Sequence, residues 1–361
     1  MKIKAVRPFL KQLALTTPYT IAYETCTDAT LVFLEIELEN GIIGIGSASP
    51  SEEVVGENPH QTLGCLQSES VANLAGRDIR HFQQIIFEIR RQFAGLPGTQ
   101  AAVDIALHDA FCQYLGVSVA DFYGRKIAAL PTSVTIGIMN VAETLESARN
   151  YHALGFRVLK VKTGLQVEED IERVLRLHEL YRGKMTLRVD ANQGYTLDEL
   201  RRFLHATEHI DLELIEQPLP VGMEQELLVL EESHRKILVA DESLHDPQAA
   251  ILLSRAPMPF GIFNIKLMKC GGMMSAFEIA NIAQNAGISL FWGCNDESIA
   301  SIAAALHAAY ACPNTRYLDL DGSFDLAEDV VSGGFRVEDG MMYILEGPGL
   351  GLGSASFVPS V

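Results

Sequence analysis

Five ionisable residues recur along this chain at nearly equal intervals. Asp190 closes the run Thr186-Leu-Arg-Val-Asp190, Glu216 follows 26 residues later after Leu214-Ile215, and Asp241 comes another 25 on, after Ile237-Leu-Val-Ala240. Lys162 lies 28 residues before Asp190, and Lys266 lies 25 after Asp241. A carboxylate directly off the end of an apolar strand is costly unless it is paired or holds a cation. Three hard oxygen donors on neighbouring strand ends describe a Mg²⁺ site. Lys160 and Lys162 alternate along one strand and so share a face. Taken singly, each acid reads as a helix cap or a solvated loop residue, and each lysine as part of an exposed strand edge. Recurring in phase, they read as one site.

Residues so spaced need elements of matching length. A βα unit takes roughly 25–30 residues, so each acid falls at the same end of successive strands in one parallel sheet. From about Leu130 the pattern alternates, with strands near 132–138, 157–163, 186–191, 213–217, 237–241, 261–267, 288–293 and 316–320. Val167–Leu180 and Leu197–Thr207 are the clearest helices, with Asp170 and Asp198 near the N-terminal ends, where the dipole favours anions. Such alternation implies a parallel barrel with its chemistry at the C-terminal strand ends. In a closed barrel the second and sixth strands face each other across the axis, which sets Lys162 and Lys266 on opposite sides of the metal. Upstream, residues 1–50 alternate like antiparallel strands with a turn at Asn40-Gly41. Helices are expected around 57–75, 80–95 and 100–114, with a break at Pro97-Gly98. Loops near 16–28 and 47–57 are placed to fold over the barrel mouth. The expected division is an α+β cap over 1–125, the barrel over 126–322, and a segment 323–361 returning to the cap. The glycine-rich Gly347–Gly353 superficially resembles a nucleotide loop, but no strand–helix context surrounds it.

The composition narrows the class. With 361 residues, 48% apolar and 20% charged, the chain reads as a soluble globular protein with one large and one smaller domain. No apolar run is long enough to span a membrane and the start lacks a signal-peptide core, so a cytoplasmic location is expected. A net charge of −18 argues against nucleic acid or an anionic membrane as partner. The six cysteines show no metal-binding spacing. A small-molecule substrate and a homo-oligomeric state are expected.

The order Lys160-x-Lys162, Asp190, Glu216, Asp241, Lys266 on strands two to six resembles the enolase superfamily, muconate-lactonizing subgroup. Asp319-Leu-Asp321 resembles the Asp-x-Asp signature of its dipeptide epimerases. The resemblance runs over nearly the whole chain. It implies an α/β fold, a modified TIM barrel (β/α)7β with an α+β capping domain formed by the N-terminal region and the C-terminal tail. Sites of that superfamily combine a lysine or histidine base with Mg²⁺ that stabilises an ene-diolate. For this chain it implies inversion of the α-carbon of a dipeptide's C-terminal residue. Asp190, Glu216 and Asp241 would hold Mg²⁺, and Lys162 and Lys266 would act as the acid/base pair. Lys160 would add positive charge beside the substrate carboxylate and lower the pKa of Lys162. Asp319 and Asp321 would bind the substrate α-ammonium, with Thr135 and the loop residues Asp296, Glu297 and Ser298 lining the substrate. Relatives acting on Ala-Glu carry an arginine in the first cap loop where this chain has Glu24. With Glu52, Glu53 and Asp296 nearby, the expected second residue is non-acidic, even cationic. Two lysines do not by themselves exclude a one-base elimination, so muconate cycloisomerase or o-succinylbenzoate synthase-type chemistry is the rival. A non-catalytic ligand-binding barrel is the remote one.

Overall fold

The computed structural model describes residues 1–20, 25–50 and 52–354, with the side chains of 17–27, 53 and 354 outside that description. Strands β1 (Ile3–Thr20), β2 (Thr25–Leu38) and β3 (Ile43–Ala48) form an antiparallel meander. A helix over Pro97–Leu115 lies across it. Its approach explains two glycines: a Cβ on Gly44 would stand 2.4 Å from the Ala106 carbonyl oxygen, and one on Gly46 2.0 Å from that of Ala102. No side chain fits between strand and helix backbone at these points. Glu57, fully buried, accepts the N–H groups of Gly98 at 2.7 Å and Thr99 at 3.0 Å, satisfying donors that the first turn leaves open. The expected break between helices falls just before Pro97, which begins this helix because a first-turn proline lacks an N–H that the helix does not use. The expected helix over 57–75 divides into Pro59–Leu66 and Glu69–Ala72, since Ser68 is extended between them.

After the short β4 (Leu130–Pro131), eight parallel strands form one sheet in sequence order: β5 (Val134–Ile136), β6 (Val158–Lys162), β7 (Thr186–Asp190), β8 (Leu212–Glu216), β9 (Leu238–Ala240), β10 (Ile262–Ile265), β11 (Ser289–Gly293) and β12 (Thr315–Asp319). Ser133 N–H donates to the Leu318 carbonyl at 3.1 Å and Leu320 N–H to Thr132 Oγ1 at 2.9 Å, drawing the first and last strands together into a barrel. Alternation puts Leu159, Val161, Leu187 and Val189 outward into the main core under the helices. The intervening Lys160, Lys162, Arg188 and Asp190 point inward. Low in the barrel, Leu214, Val239, Ile262 and Phe291 make a separate apolar layer.

β13 (Val331–Gly333) pairs with β16 (Leu352–Ser354), and β14 (Phe335–Glu338) and β15 (Met341–Ile344) add to β4. The glycine-rich tail packs against the cap helix. A Cβ on Gly349 would meet Asp109 Oδ1 at 2.2 Å, so this glycine serves close packing. Cap and barrel are joined by a similar device: Asp104 of the cap helix accepts the N–H groups of Met273 and Met274, the first turn of the barrel helix Met273–Ala286. Among the described residues, no helix is long and apolar enough to cross a membrane.

Asp109 carries a pH-dependent part of this stability. Its carboxylate accepts Ile45 N–H at 3.0 Å, Leu350 N–H at 2.8 Å and Gln113 Nε2 at 2.9 Å, tying strand, tail and helix together. Burial pushes its pKa up to about 6 from 3.8, against the pull of those donors. The folded chain therefore holds this proton more tightly, and the stabilisation is complete below about pH 4 and lost as pH rises through about 6. In urea unfolding across this range, the stability of the wild type relative to Asp109→Asn is expected to fall by about 3 kcal/mol and then level off. A constant difference would show that Asp109 does not titrate there.

Candidate active site

The sequence of each strand delivers one charged side chain to the same level. In Cα register, Lys162 faces Asp190, Asp190 faces Glu216, and Glu216 faces Val239 next to the end of β9. Asp241 and Lys266 follow directly on β9 and β10. In the sheet order, β6 and β10 are four strands apart in either direction round the barrel, so Lys162 and Lys266 rise from opposite walls.

Lys160 is the centre of the cluster. Its ammonium, 3% exposed, lies 2.8 Å from Asp319 Oδ2, 2.8 Å from Glu216 Oε2 and 3.1 Å from Asp190 Oδ2. Burial works against that charge, but Asp319, Glu216 and Asp190 outweigh it and raise the pKa well above the ordinary lysine value. Lys162 Nζ, more open, donates to Asp190 Oδ2 at 2.8 Å and Asn192 Oδ1 at 2.9 Å. Lys266 Nζ donates to Asp241 Oδ2 at 2.9 Å; burial opposes its charge, and Asp241 and Glu216 more than offset this, so its pKa too is raised. Burial likewise raises Glu216, reinforced by Asp190. Asp190 goes the other way: burial is overcome by Lys162 and Lys160, and its carboxyl is lowered.

Among the described residues, no three carboxylate, imidazole or thiolate groups already converge as a metal cage. The acids are instead each drawn to a lysine. The donor set nevertheless suits a hard divalent cation. Glu216 Oε2 and the neighbouring Glu242 Oε2 are buried without a hydrogen bond, the former held only by its ion pair with Lys160. Glu242 is pushed up by burial and by Asp241 and Asp190, the mark of an acidic cluster short of positive charge.

Several residues that the spacing did not single out hold the cluster. Asn264 Nδ2 donates to Glu216 Oε1 at 2.6 Å; it stands two before Lys266, on the same face of β10. Lys269, a helical turn beyond Lys266, is buried against the Asp241 carboxylate and donates to the carbonyls of Asp241 at 2.6 Å and Asn264 at 3.2 Å. Gln217 Oε1 accepts the N–H groups of Asp241 and Ser243. Arg188 Nη1 donates to Ser133 Oγ, which donates to Asp319 Oδ1 at 2.5 Å. Asn264 and Arg188 each stand two residues before a residue of the cluster, and Lys269 a turn beyond Lys266, so all three had a readable signal in their spacing. Ser133 and Gln217 had none.

The expected substrate residues divide. Asp319, the last residue of β12, is already engaged by Lys160 and Ser133, and Lys160 lowers its carboxyl against the effect of burial. Asp321 lies two beyond, where Oδ2 accepts Thr135 N–H at 3.0 Å, and burial followed by Asp319 and Asp325 raises its carboxyl. The two signature acids thus differ: one anchors the lysine cluster and the other faces uncompensated negative charge. Ser298 caps the helix Ile299–Tyr310 and donates to Asp329 Oδ1, so its side chain is spent on the loop. Glu297, 2% exposed, accepts Asn295 N–H, and burial pushes it to about 7. The Glu297 N–H donates to Gly322. The Asp296 carbonyl accepts Ser49 Oγ at 2.6 Å, which ties the loop after β3 to the barrel mouth. Thr16 N–H reaches Asp325 in the same way. Glu24 and the side chain of Glu53 lie outside the described residues, and Glu52 is exposed. A cavity of about 380 Å³ is lined in part by Lys269, between the cap and the barrel helix.

Comparison with known proteins places this geometry. The mandelate racemase / muconate lactonizing enzyme N-terminal domain model matches residues 5–124, and the enolase C-terminal domain-like model matches 143–354. The chain is 50% identical over 352 residues to the L-Lys-D/L-Arg epimerase of Desulforapulum autotrophicum, covering 98% of this chain and 99% of that one. It is 32% identical to the hydrophobic dipeptide epimerase of Enterococcus faecalis, with 98% and 99% covered. Among solved structures, a dipeptide epimerase from Methylococcus capsulatus complexed with Mg and the dipeptide L-Arg-D-Lys superposes with a TM-score of 0.95. It shares 48% identity over 98% of this chain and 99% of that one.

Lys269→Met tests the support under Asp241. Removing the ammonium leaves a buried carboxylate with less compensation, so unfolding in urea without divalent cation is expected to show a loss of about 3–5 kcal/mol. Millimolar Mg²⁺ is expected to restore part of it by mass action. A loss below about 1 kcal/mol would show that Lys269 is dispensable to the cluster.

Proposed function

We propose that this chain, which belongs to the mandelate racemase / muconate lactonizing enzyme family of the enolase superfamily, epimerises dipeptides with cationic residues, using Lys162 and Lys266 as its two bases. It is an isomerase, a Mg²⁺-dependent dipeptide epimerase. The observation that carries the two-base reading is the pair of lysines on opposite barrel walls, with the carboxylates between them.

The reaction removes a proton from a carbon α to a carboxylate and returns one to the other face. Asp190, Glu216 and Asp241 would hold Mg²⁺, which when bound supplies the positive charge that makes such a weak carbon acid ionisable. Lys160, fixed by three carboxylates, is the second cation on the substrate carboxylate. One catalytic lysine, as the free amine, accepts the α-proton. The other, as ammonium, delivers a proton to the opposite face. Asp321 receives the substrate α-ammonium, an assignment supported by its raised carboxyl and open position beside Thr135. A cation there removes the repulsion between Asp321 and its acidic neighbours.

Cationic side chains fit the acidic mouth. Burial and then Asp296 raise Asp325 to about 6, and burial, Asp319 and Asp325 raise Asp321. The relatives with 50% and 48% identity are L-Lys-D/L-Arg epimerases.

Proton NMR in D₂O with Mg²⁺ tests this reading. Dipeptides of Lys and Arg are expected to lose the α-proton signal of the second residue while a new diastereomer appears, with Ala-Glu slower by at least about tenfold in kcat/KM. Lys162→Ala and Lys266→Ala are each expected to lower epimerisation by about 10³-fold or more. Preference for Ala-Glu would overturn the cationic assignment. Silence on all dipeptides, with muconate or succinylbenzoate precursors consumed, would favour the rival chemistry.

A further inference from the structure

We infer that Asp170, Arg173 and Tyr195 are positioning residues for Lys162, a buried polar clamp that fixes the backbone from which this one base projects. The inference rests on the proposed roles of Lys162 and Lys266 as bases on opposite faces.

Lys162 ends β6, and the chain beyond it must turn at once into the helix Val167–Tyr181. Three successive residues of that turn are tied down. The Lys162 carbonyl accepts Arg173 Nη2 at 2.9 Å. Thr163 donates its N–H to the Asp190 carbonyl at 2.8 Å. Gly164 donates its N–H to Asp170 Oδ2 at 2.8 Å. The clamp closes on itself, for Arg173 Nη2 also donates to Asp170 Oδ1 at 2.5 Å, and Tyr195 donates its hydroxyl to Asp170 Oδ2 at 2.9 Å. Asp170, Arg173 and Tyr195 are 1%, 2% and 2% exposed. Asp170, which the sequence suggested as a dipole-favoured acid near a helix start, is thus a buried junction.

Tyr195 brings in the loop after β7; Asp190, which ends that strand, and Asn192 in the loop are the two groups that Lys162 Nζ contacts. The loops meet backbone to backbone. A Cβ on Gly164 would stand 2.2 Å from the Ala191 carbonyl oxygen, and one on Gly194 2.2 Å from that of Gly164. The turn bearing the base and the turn bearing its partners therefore move as one unit.

Stability alone does not account for this arrangement. A buried ion pair is commonly no more stabilising than apolar side chains of the same volume. Here Arg173 Nη1 is also buried without a hydrogen-bond partner, an added cost. Arg173 donates to the backbone of the Lys162 turn and Asp170 accepts from it, so the cost goes with placing the base. Lys266 has separate support: its carbonyl accepts the N–H groups of Lys269 and Cys270, on the far wall of the barrel. Loosening the clamp therefore affects one face of the substrate carbon.

The test is α-proton exchange in D₂O by the Mg²⁺-loaded full-length protein, started separately from the two diastereomers of a Lys/Arg dipeptide. If each lysine serves one face, Lys162→Ala abolishes exchange from one diastereomer and Lys266→Ala from the other. Loss of both in either variant overturns the two-base reading, and this inference with it. With that selectivity established, Arg173→Met is expected to slow exchange of the Lys162-dependent diastereomer by about 100-fold, with KM and the other diastereomer little changed. Arg173→Lys is expected to recover part of that loss. Tyr195→Phe, which keeps the ring and removes one hydrogen bond, is expected to give a selective loss of about fivefold and decides the matter should Arg173→Met not fold. Equal loss from both diastereomers, or none in Tyr195→Phe, overturns the clamp and leaves the two-base reading standing.

Discussion

The buried ammonium of Lys160 is the interaction on which the upper half of this barrel depends. Asp190, Glu216 and Asp319 are each almost wholly removed from water, and such a group of carboxylates would be prohibitive without a cation among them. Lys160 meets all three within 3.1 Å and so links β6 to β7, to β8 and, through Asp319, across the closure to β12. In register with Lys160 on the next strand, Arg188 plays a similar part. It bonds to Ser133, the Leu318 carbonyl and Glu213, and lies 5.3 Å from the Phe291 ring centre and 5.4 Å from that of Tyr317. The barrel interior is therefore a stack: an apolar and aromatic floor, a cationic layer, and a rim of acids.

That stack makes the rim asymmetric. Asp319 and Asp321 share a motif but not an environment, because only Asp319 is within reach of Lys160 and Ser133. The lysines differ likewise. Lys160 is locked, while Lys162 and Lys266 each have one carboxylate partner and some access to the mouth. Buried acids recur in the rest of the fold with another purpose. Glu57, Asp104 and Asp109 each use a carboxylate to collect backbone N–H groups where elements meet, and so dock cap, tail and barrel.

Much of the fold was legible because parallel strands buried on both faces have a distinctive pattern. Each of the eight expected barrel strands overlaps an observed one, since runs such as Val158–Lys162 and Thr186–Asp190 alternate outward aliphatic with inward charged residues. Other partners were not legible. The sequence puts Pro97-Gly98 between two helices, Asp170 near a helix start and Ser298 in the loop after the seventh barrel strand, but not what each meets. Their partners lie elsewhere in the chain or across a turn: Glu57 beneath the helix start for Gly98, Tyr195 for Asp170 and Asp329 for Ser298.

The sequence by itself determined which residue types stand at which strand ends, because a period of 25 to 28 residues in a βα chain leaves them little choice of level. It also determined that the site would hold more acids than an apolar interior tolerates without cations. How the charges are shared is set by the folded barrel alone. Which carboxylate meets Lys160, which is left facing its own kind, and which buried pair steadies Lys162 depend on side chains converging from different strands. Coulombic and hydrogen-bond energies at those sites vary steeply with distance and burial, and neither is written in the spacing along a chain.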